Sequence, residues 1–556
     1  MSNSKRLIFL PLGGAGEIGM NMYLYGYGIP EKERFILVDV GVTFPSMDGS
    51  PGVDLIMPDT AFIEARLDRL DGIFITHAHE DHIGALGHLY GRLGVPIFCR
   101  KFTGAVARAK IEEHGHDINC VKVLEVWPEQ VELGAFKVAF MPVSHSIPEA
   151  SGLVIDSPVG RVVHTGDFKL DPDPIVGEAY NPGLYREIAK DGVQALVCDS
   201  TNIFSLKEGQ SESSLGPHIT KMMKDASGMV VATTFASNVA RLKTLAQAAV
   251  ESGRSVVVLG RAMKKMLGYA NFAGLIDDFP PTIDVEDAHS IPRENLMLLV
   301  TGSQGERRAA SAQLSNGKYL GLSLREGDTF LFSSKTIPGN EVAVGKIINA
   351  FSEMGVNVVD ESDGHYHVSG HANRPDLEKF HSIFQPKMLI PMHGEHRHLR
   401  AHVNLAAKRN VSSLIVCNGA IVDLSSDVPK ITGNIETGRT YLDGKQLIGA
   451  YDGVVLERTR MAIRGAVVVS LLLEDNALMG ESWAEVLGLP DTRAMEPDLQ
   501  EAIERTVDED LHNAKKSALS NDDEIEKLVS KAVSRVCKDL VGKKPVIKVL
   551  INRLVD

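Results

Sequence analysis

Between Thr76 and Leu86 the chain reads THAHEDHIGAL, which sets His77, His79, Asp81 and His82 within six consecutive positions. A strand-like run, DGIFIT, leads into the motif and a helix-like run, IGALGHLYGRLG, leads out of it. Imidazole and carboxylate are the ligands that borderline divalent ions such as Zn²⁺ prefer. On a segment leaving a strand, alternate residues point to opposite sides, so His77 and His79 can share one ion. Asp81 and His82, one turn on, can reach a second. A lone histidine is usually a loop or core residue, but the HxHxDH pattern concentrates ligand types beyond that ordinary use.

Each catalytic zinc usually takes three or four protein groups, so more ligands are expected at the ends of later β runs. MPVSHSIP offers His145, RVVHTGDFK offers Asp167 and LIPMHGEH offers His393. A carboxylate at a strand end can bridge two ions. The expected sites are therefore His77, His79 and His145 with Asp167, and Asp81, His82 and His393 sharing Asp167.

At 556 residues the chain is too long for one core, which predicts two or three domains. No apolar run reaches the length of a membrane helix, and the N-terminus does not read as a signal peptide. The five cysteines are scattered and form no CxxC pair, which fits reduced thiols and a cytoplasmic location. A net charge of −14 is unlike that of a small basic nucleic-acid module, yet a large enzyme can confine positive charge to one channel.

The first two hundred residues mix short β runs (RLIFLPL, MYLYGY, RFILVDVG, FKVAFMPV, GLVIDS, ALVCDS) with helical stretches at 84–93 and 103–114. From about 206 to 370, MVVATTF, SVVVLG, LMLLVTG and DTFLFSS are continuous apolar runs of the kind found in buried parallel strands. Chemistry-bearing residues return at 365–400, so this second α/β region reads as an insertion. In the last hundred residues, Leu499, Ile503, Val507 and Leu511 mark one face of a helix, and Ile525 to Leu540 mark another. Strands are expected at GAVVVSLLLE and PVIKVLINRL. This small α+β unit reads as a cap or, preferably, a subunit interface.

GAGEIG, Gly14 to Gly19, matches the GxGxxG dinucleotide signature, with Asp39 at about the spacing of a ribose-binding acid. The signature needs a helix directly after the glycines. MNMYLYGYG follows here, so a turn between antiparallel strands is expected; Asp39 could orient a ligand histidine or end a strand, and the strand end is the preferred reading.

Taken together, HAHEDH, His145, the TGD at Asp167 and the later HGE resemble the metallo-β-lactamase superfamily. VCDSTN at Asp199, VSGHA at His371 and PMHGE at His393 resemble the three motifs of its β-CASP branch of nucleic-acid hydrolases. TTFASN, LGRAMKK, TGSQGE and GRTYLDGKQLIG extend the likeness to the bacterial ribonuclease J family over nearly the whole chain. The resemblance implies an α/β chain with a metallo-β-lactamase αββα core, an inserted α/β β-CASP domain and a small C-terminal α+β domain. The expected boundaries are 1–205 and 373–450 for the core, 206–372 for the insertion, 451–465 for a linker and 466–556 for the C-terminal domain.

It further implies a ribonuclease with two Zn²⁺ per chain, Mn²⁺ being an alternative. Such an enzyme acts as a 5′-to-3′ exonuclease with possible endonuclease action in RNA processing and decay. Catalytic roles fall to Asp81, to His371 as proton donor, and to Asp199 as the group orienting a ligand histidine. Ser237, His367 and Ser369 would bind an RNA 5′-monophosphate, and Arg261, Lys264, Lys265, Arg307 and Arg308 would line the RNA path. Single-stranded RNA, a homo-oligomer (dimer or tetramer) and RNA-decay proteins are the expected partners, with no membrane. A β-lactamase or thioesterase would need only the core, and a scaffold would be expected to have lost ligands.

Overall fold

The computed structural model describes residues 4–46, 49–494 and 496–554. The chain divides into two compact units, residues 1–43 with 57–438 and residues 44–56 with 439–556.

The first unit contains a sandwich of two mixed sheets. One has eight strands in the order Lys430–Asn434, Ala420–Asp423, Arg6–Gly13, Met22–Gly28, Arg34–Val38, Leu70–Phe74, Ile97–Cys99, Val121–Val123. The other has seven, running Ser412–Ser413, Met388–Met392, Ala195–Asp199, Gly160–His164, Ser151–Ser157, Phe136–Pro142, Val131–Leu133. Alternate residues of both sheets meet in one core. Phe9, Tyr25, Val38 and Phe74 come from the first sheet, and Phe140, Ile155, Val197 and Ile390 from the second, all fully buried. Helices such as Lys101–Glu113, Arg374–Phe384 and His396–Ala407 accompany the sheets. Each helix carries one buried stripe; Phe102, Val106 and Ile111 form that of Lys101–Glu113.

The inserted region is built on a five-stranded, wholly parallel sheet, ordered Ser255–Leu259, Leu296–Val300, Val230–Thr233, Thr329–Phe332, Asn357–Val359. Its strands are apolar on both faces because helices cover both. Val231, Leu298 and Phe330 pack to one side, and Ala232, Leu299 and Leu331 to the other. The continuous apolar runs read from the sequence are four of these five strands, Asn357–Val359 being the addition.

GAGEIG is followed by strand Met22–Gly28, antiparallel to Arg6–Gly13, not by a helix. The expected turn between antiparallel strands is what forms.

In the second unit, Ala466–Glu474 is the central strand. It pairs antiparallel with Trp483–Leu487 and Ala477–Leu478, and parallel with Val546–Arg553. Helices Leu499–His512 and Asp522–Val541 pack on it through Leu499, Ile503, Val507, Leu511, Ile525 and Val529. The two short strands add to the two that the sequence suggested, and residues 454–464 form a further helix. No described helix is long and apolar enough to cross a membrane.

Candidate metal centre

The ligand-type residues meet where strands end. Gly160–His164, Ala195–Asp199 and Met388–Met392 are parallel neighbours. Their C-terminal ends therefore open on one edge and deliver Asp167, Asp199 and His393. In the facing sheet, Arg34–Val38 and Leu70–Phe74 are also parallel neighbours and deliver Asp39 and His77. His145 follows strand Phe136–Pro142. A tight turn follows His77, in which the amides of His82 and Ile83 both donate to the His79 carbonyl at 2.9 Å. That turn brings His79 and His82 back beside the strand ends.

The ligand atoms of His77, His79 and His145 lie within 4.8 Å of one another, as do those of Asp81, His82, Asp167 and His393. Asp167 joins the groups. Its Oδ2 is 3.2 Å from His82 Nε2, 3.8 Å from His145 Nε2 and 3.9 Å from His77 Nε2. The carboxylate thus sits closest to the second group. His79, Asp81 and His371 are the partly exposed members, so the centre opens on their side.

Hydrogen positions follow from the surroundings. Thr76 Oγ1 donates to Asp39 Oδ2 (2.9 Å), so at its 3.0 Å contact with His77 Nδ1 it must accept. The Gly370 carbonyl accepts from His145 Nδ1 at 2.5 Å. His77 Nε2 and His145 Nε2 are then bare lone pairs, and each lies 3.1 Å from His79 Nδ1. One nitrogen cannot donate to both. The three rings are nearly perpendicular, at 77–80°. Two nitrogens at a zinc-type bond length on one tetrahedral ion would be about 3.3 Å apart, so the trio fits a shared cation.

The second group is short of positive charge. His393 Nδ1 lies 2.7 Å from Asp167 Oδ1, and His393 Nε2 lies 3.3 Å from Asp81 Oδ2. Asp167 Oδ1 and His393 Nε2 are nonetheless buried without a hydrogen-bond partner, because these contacts are close but not aligned. Burial disfavours a proton on His393, yet Asp167 and Asp81 override it and push its pKa up to about 10. Burial alone would raise Asp167, but His393, His82 and His371 hold it well below the carboxylate range. In the all-histidine trio, burial pushes His79 down to about 4, and His77 and His145 well below the usual imidazole value. Neutral imidazoles on one side, and on the other carboxylates that draw protons onto His393 and His82, are a donor set for divalent metal.

Two expectations need correction. Asp39 does more than end a strand. It is fully buried and takes Thr76 N (2.8 Å), Thr76 Oγ1 and His82 Nδ1 (2.8 Å), which fixes the ring so that Nε2 faces the centre. Asp199 does not orient a ligand histidine; it lies 3.9 Å from His393 Nδ1. Its Oδ2 instead accepts from His371 Nδ1 at 2.8 Å, and its Oδ1 accepts from Thr201 N and Oγ1. His371 Nε2 then points inward, 4.0 Å from Asp167. Burial lowers the His371 pKa, but Asp199 and Asp167 raise it overall. Asp39 and His393 both adopt left-handed backbone (φ 62° and 46°), strain of about 1–3 kcal/mol each that the surrounding bonds sustain.

Family models match in chain order: beta-lactamase superfamily domain (residues 36–184), ribonuclease J beta-CASP domain (227–351), Zn-dependent metallo-hydrolase RNA specificity domain (364–416) and ribonuclease J C-terminal domain (453–554). Ribonuclease J of Sinorhizobium meliloti is 39% identical over 100% of this chain and 98% of its own. Ribonuclease J of Mycolicibacterium smegmatis is 36% identical over 89% of each chain. The chain belongs to the ribonuclease J family. It is a metal-dependent hydrolase acting on RNA. A crystal structure of an Enterococcus faecalis protein of unknown function shares the fold, with TM-score 0.50 and 17% identity over 71% of this chain and 95% of that one.

Of the residues expected to hold a 5′-phosphate, Ser369 Oγ accepts from Asn202 Nδ2 (2.8 Å) and from His371 N (3.2 Å). His367 Nδ1 lies 3.4 Å from the buried Arg241 guanidinium, which donates, so its ring hydrogen is on Nε2. Burial, then Arg241, Lys335 and Lys169, push His367 down to about 3. Ser237 lies in the turn after Val230–Thr233, one residue before the Asn238 that caps the Arg241-bearing helix. Arg261, Lys264, Lys265, Arg307 and Arg308 are all exposed. Sequence reading missed Thr76, Asn21, Tyr23 and the Gly370 carbonyl. Thr76 stood in the motif itself; the others carried no local signal.

Proposed function

We infer that this chain cleaves RNA phosphodiester bonds as a 5′-to-3′ exonuclease, with endonuclease action at the same centre, using two Zn²⁺ ions or alternatively Mn²⁺. The observation that carries this reading is the junction at Asp167, where two ligand groups meet beside the inward-facing His371. His77, His79 and His145 would hold one ion, and Asp81, His82 and His393 the other, with Asp167 between them. When bound, such ions make water acidic enough to attack phosphorus and screen the charge that grows on the phosphate oxygens. The chain's own residues supply the rest. Asp39 and Asp199 keep two rings in one tautomer and orientation. His371, its Nδ1 tied to Asp199, presents Nε2 to give a proton to the leaving oxygen.

Ser237, His367 and Ser369 would receive the RNA 5′-monophosphate. A neutral His367 donating from Nε2 among Arg241, Lys335 and Lys169 suits an anion. The exposed basic residues would line the RNA path. We further take the boundaries 1–205, 206–372, 373–450, 451–465 and 466–556, a homo-oligomer, RNA-decay protein partners and a cytoplasmic location as parts of this reading. The test is digestion of labelled single-stranded RNAs bearing 5′-monophosphate or 5′-hydroxyl, with metal removed and restored. The expected result is faster release of nucleotides from the 5′ end of the monophosphate RNA, and none without metal. Equal trimming of the two RNAs, or full activity under chelation, refutes it.

A further inference from the structure

The glycine-rich turn that imitates a dinucleotide signature has no part in the chemistry described so far, yet it touches the second ligand group from behind. Gly14 sits in left-handed backbone (φ 79°), and its carbonyl accepts the His393 amide at 2.7 Å. At the far end of the turn, Asn21 is fully buried. Both its backbone N (2.9 Å) and its side-chain Nδ2 (3.1 Å) donate to the Asp81 carbonyl, and Nδ2 also lies 3.0 Å from His82 Nε2. The Asn21 carbonyl accepts from Gly41 N at 2.9 Å. Tyr23 joins the two ends, its hydroxyl 2.6 Å from Asn21 Oδ1 and 3.2 Å from the Gly14 carbonyl.

The fit leaves no slack. A Cβ on Gly14 would come within 2.2 Å of Asn21 Oδ1 and 2.3 Å of the Tyr23 hydroxyl. One on Gly41 would come within 1.8 Å of the Asp81 carbonyl. Gly14 leaves room for the Asn21 and Tyr23 side chains and Gly41 for the Asp81 backbone, not for a pyrophosphate. The contacts are also one-sided. Asp81 and His393 are each held through their backbones, whereas none of these bonds reaches His77, His79 or His145.

We propose that the Gly14–Asn21 turn is a clamp that positions one of the two metal sites, with Asn21 and Tyr23 as positioning residues for Asp81 and His393. The proposal rests on the two-ion reading above. Partners behind metal ligands typically govern about tenfold to a hundredfold in affinity. Asn21→Ala should therefore weaken one class of site by about that factor and leave the other within about twofold. Tyr23→Phe, which loses one hydroxyl and keeps the ring, should weaken the same class by less.

The experiment is calorimetric titration of the metal-stripped full chain with Zn²⁺ alone. His79→Ala and Asp81→Ala identify which binding class belongs to which group. Selective loss at the class missing in Asp81→Ala supports the clamp. Equal weakening of both classes, unchanged binding, or tighter binding in Asn21→Ala overturns it. If Asn21→Ala fails to fold, Tyr23→Phe carries the same decision. A wild type that takes up a single Zn²⁺ refutes the two-ion reading; a wild type with two Zn²⁺ and no selective loss refutes the clamp alone.

Discussion

Two groups of buried histidines in the first unit look alike in composition and differ in what their nitrogens face. In the trio His77, His79 and His145, outer partners claim the hydrogens of two rings, and bare nitrogens converge on a third ring from near-perpendicular planes. In the pair His381 and His402, near Cys198, the ring planes differ by 13° and the two Nε2 atoms are 3.1 Å apart. One N–H donating to one lone pair satisfies that contact, and Ser200 Oγ meets His402 Nδ1 at 2.9 Å, leaving His381 Nδ1 unmet. Proximity of ligand-type atoms is thus common to both groups. The difference lies in whether there are enough hydrogens for the nitrogens that face one another. The trio has too few and calls for a cation; the pair reads as a hydrogen-bonded part of the core.

The contrast breaks if substitutions in the two groups have the same consequence. The largest effect is expected for His77→Ala, which removes a lone pair from the shared point. Cleavage of labelled RNA should fall about 1,000-fold or more, with loss of bound metal in elemental analysis. Retained metal with retained rate would place the trio beside the pair. His371→Ala should lower the rate by about 10²–10⁴-fold while bound metal stays unchanged, because His371 is argued to move a proton and not to hold an ion. Loss of metal in that variant would count it among the ligands. Asp39→Asn takes away an acceptor that serves Thr76 and His82 together, and should weaken Zn²⁺ binding by about 10–100-fold at the His82 site. Calorimetry reads that directly, and unaltered affinity would return Asp39 to a strand-ending role.

The smallest effect on chemistry is expected for His381→Leu, which should leave the RNA cleavage rate within about twofold. Its signature is in stability. At pH 7 it leaves His402 Nε2 unmet, a cost of about 1–3 kcal/mol. Burial, and then Arg409, push folded His381 down to about 3, against an ordinary value of 6.5. The unfolded chain therefore takes up this proton first as pH falls. The contribution of His381 is complete above about pH 6.5 and is lost progressively towards about pH 3. Wild type should lose about 2 kcal/mol from this group between pH 7 and 5, a loss the variant is spared. Urea midpoints of the two proteins should draw together as pH is lowered over that range; a constant gap would show that His381 is not buried neutral.

Much of this was legible before the fold. HxHxDH names four ligand residues at a spacing that one tight turn can bring together, and the apolar runs at 229–235 and 296–302 are too evenly hydrophobic for a sheet with a wet face. Local spacing and burial period are properties of the chain itself, so they survive without coordinates. The roles of Asp39 and Asp199 were not legible in the same way. Both stand where a strand ends, both are acidic, and nothing local distinguishes the one that holds His82 from the one that holds His371.

What the sequence alone determined is the chemistry on offer: which residues can bind metal, and the parallel and antiparallel segments that carry them. What only the tertiary structure decided is convergence and hydrogen bookkeeping. His145, Asp167 and His393 meet the first motif because strands of two facing sheets end on a common edge. Which nitrogen of each ring is bare depends on carbonyls, hydroxyls and carboxylates supplied from distant parts of the chain. The Gly14–Asn21 turn makes the same point: its letters match a nucleotide signature, and its neighbours in space give it the backbone of Asp81 and His393 instead.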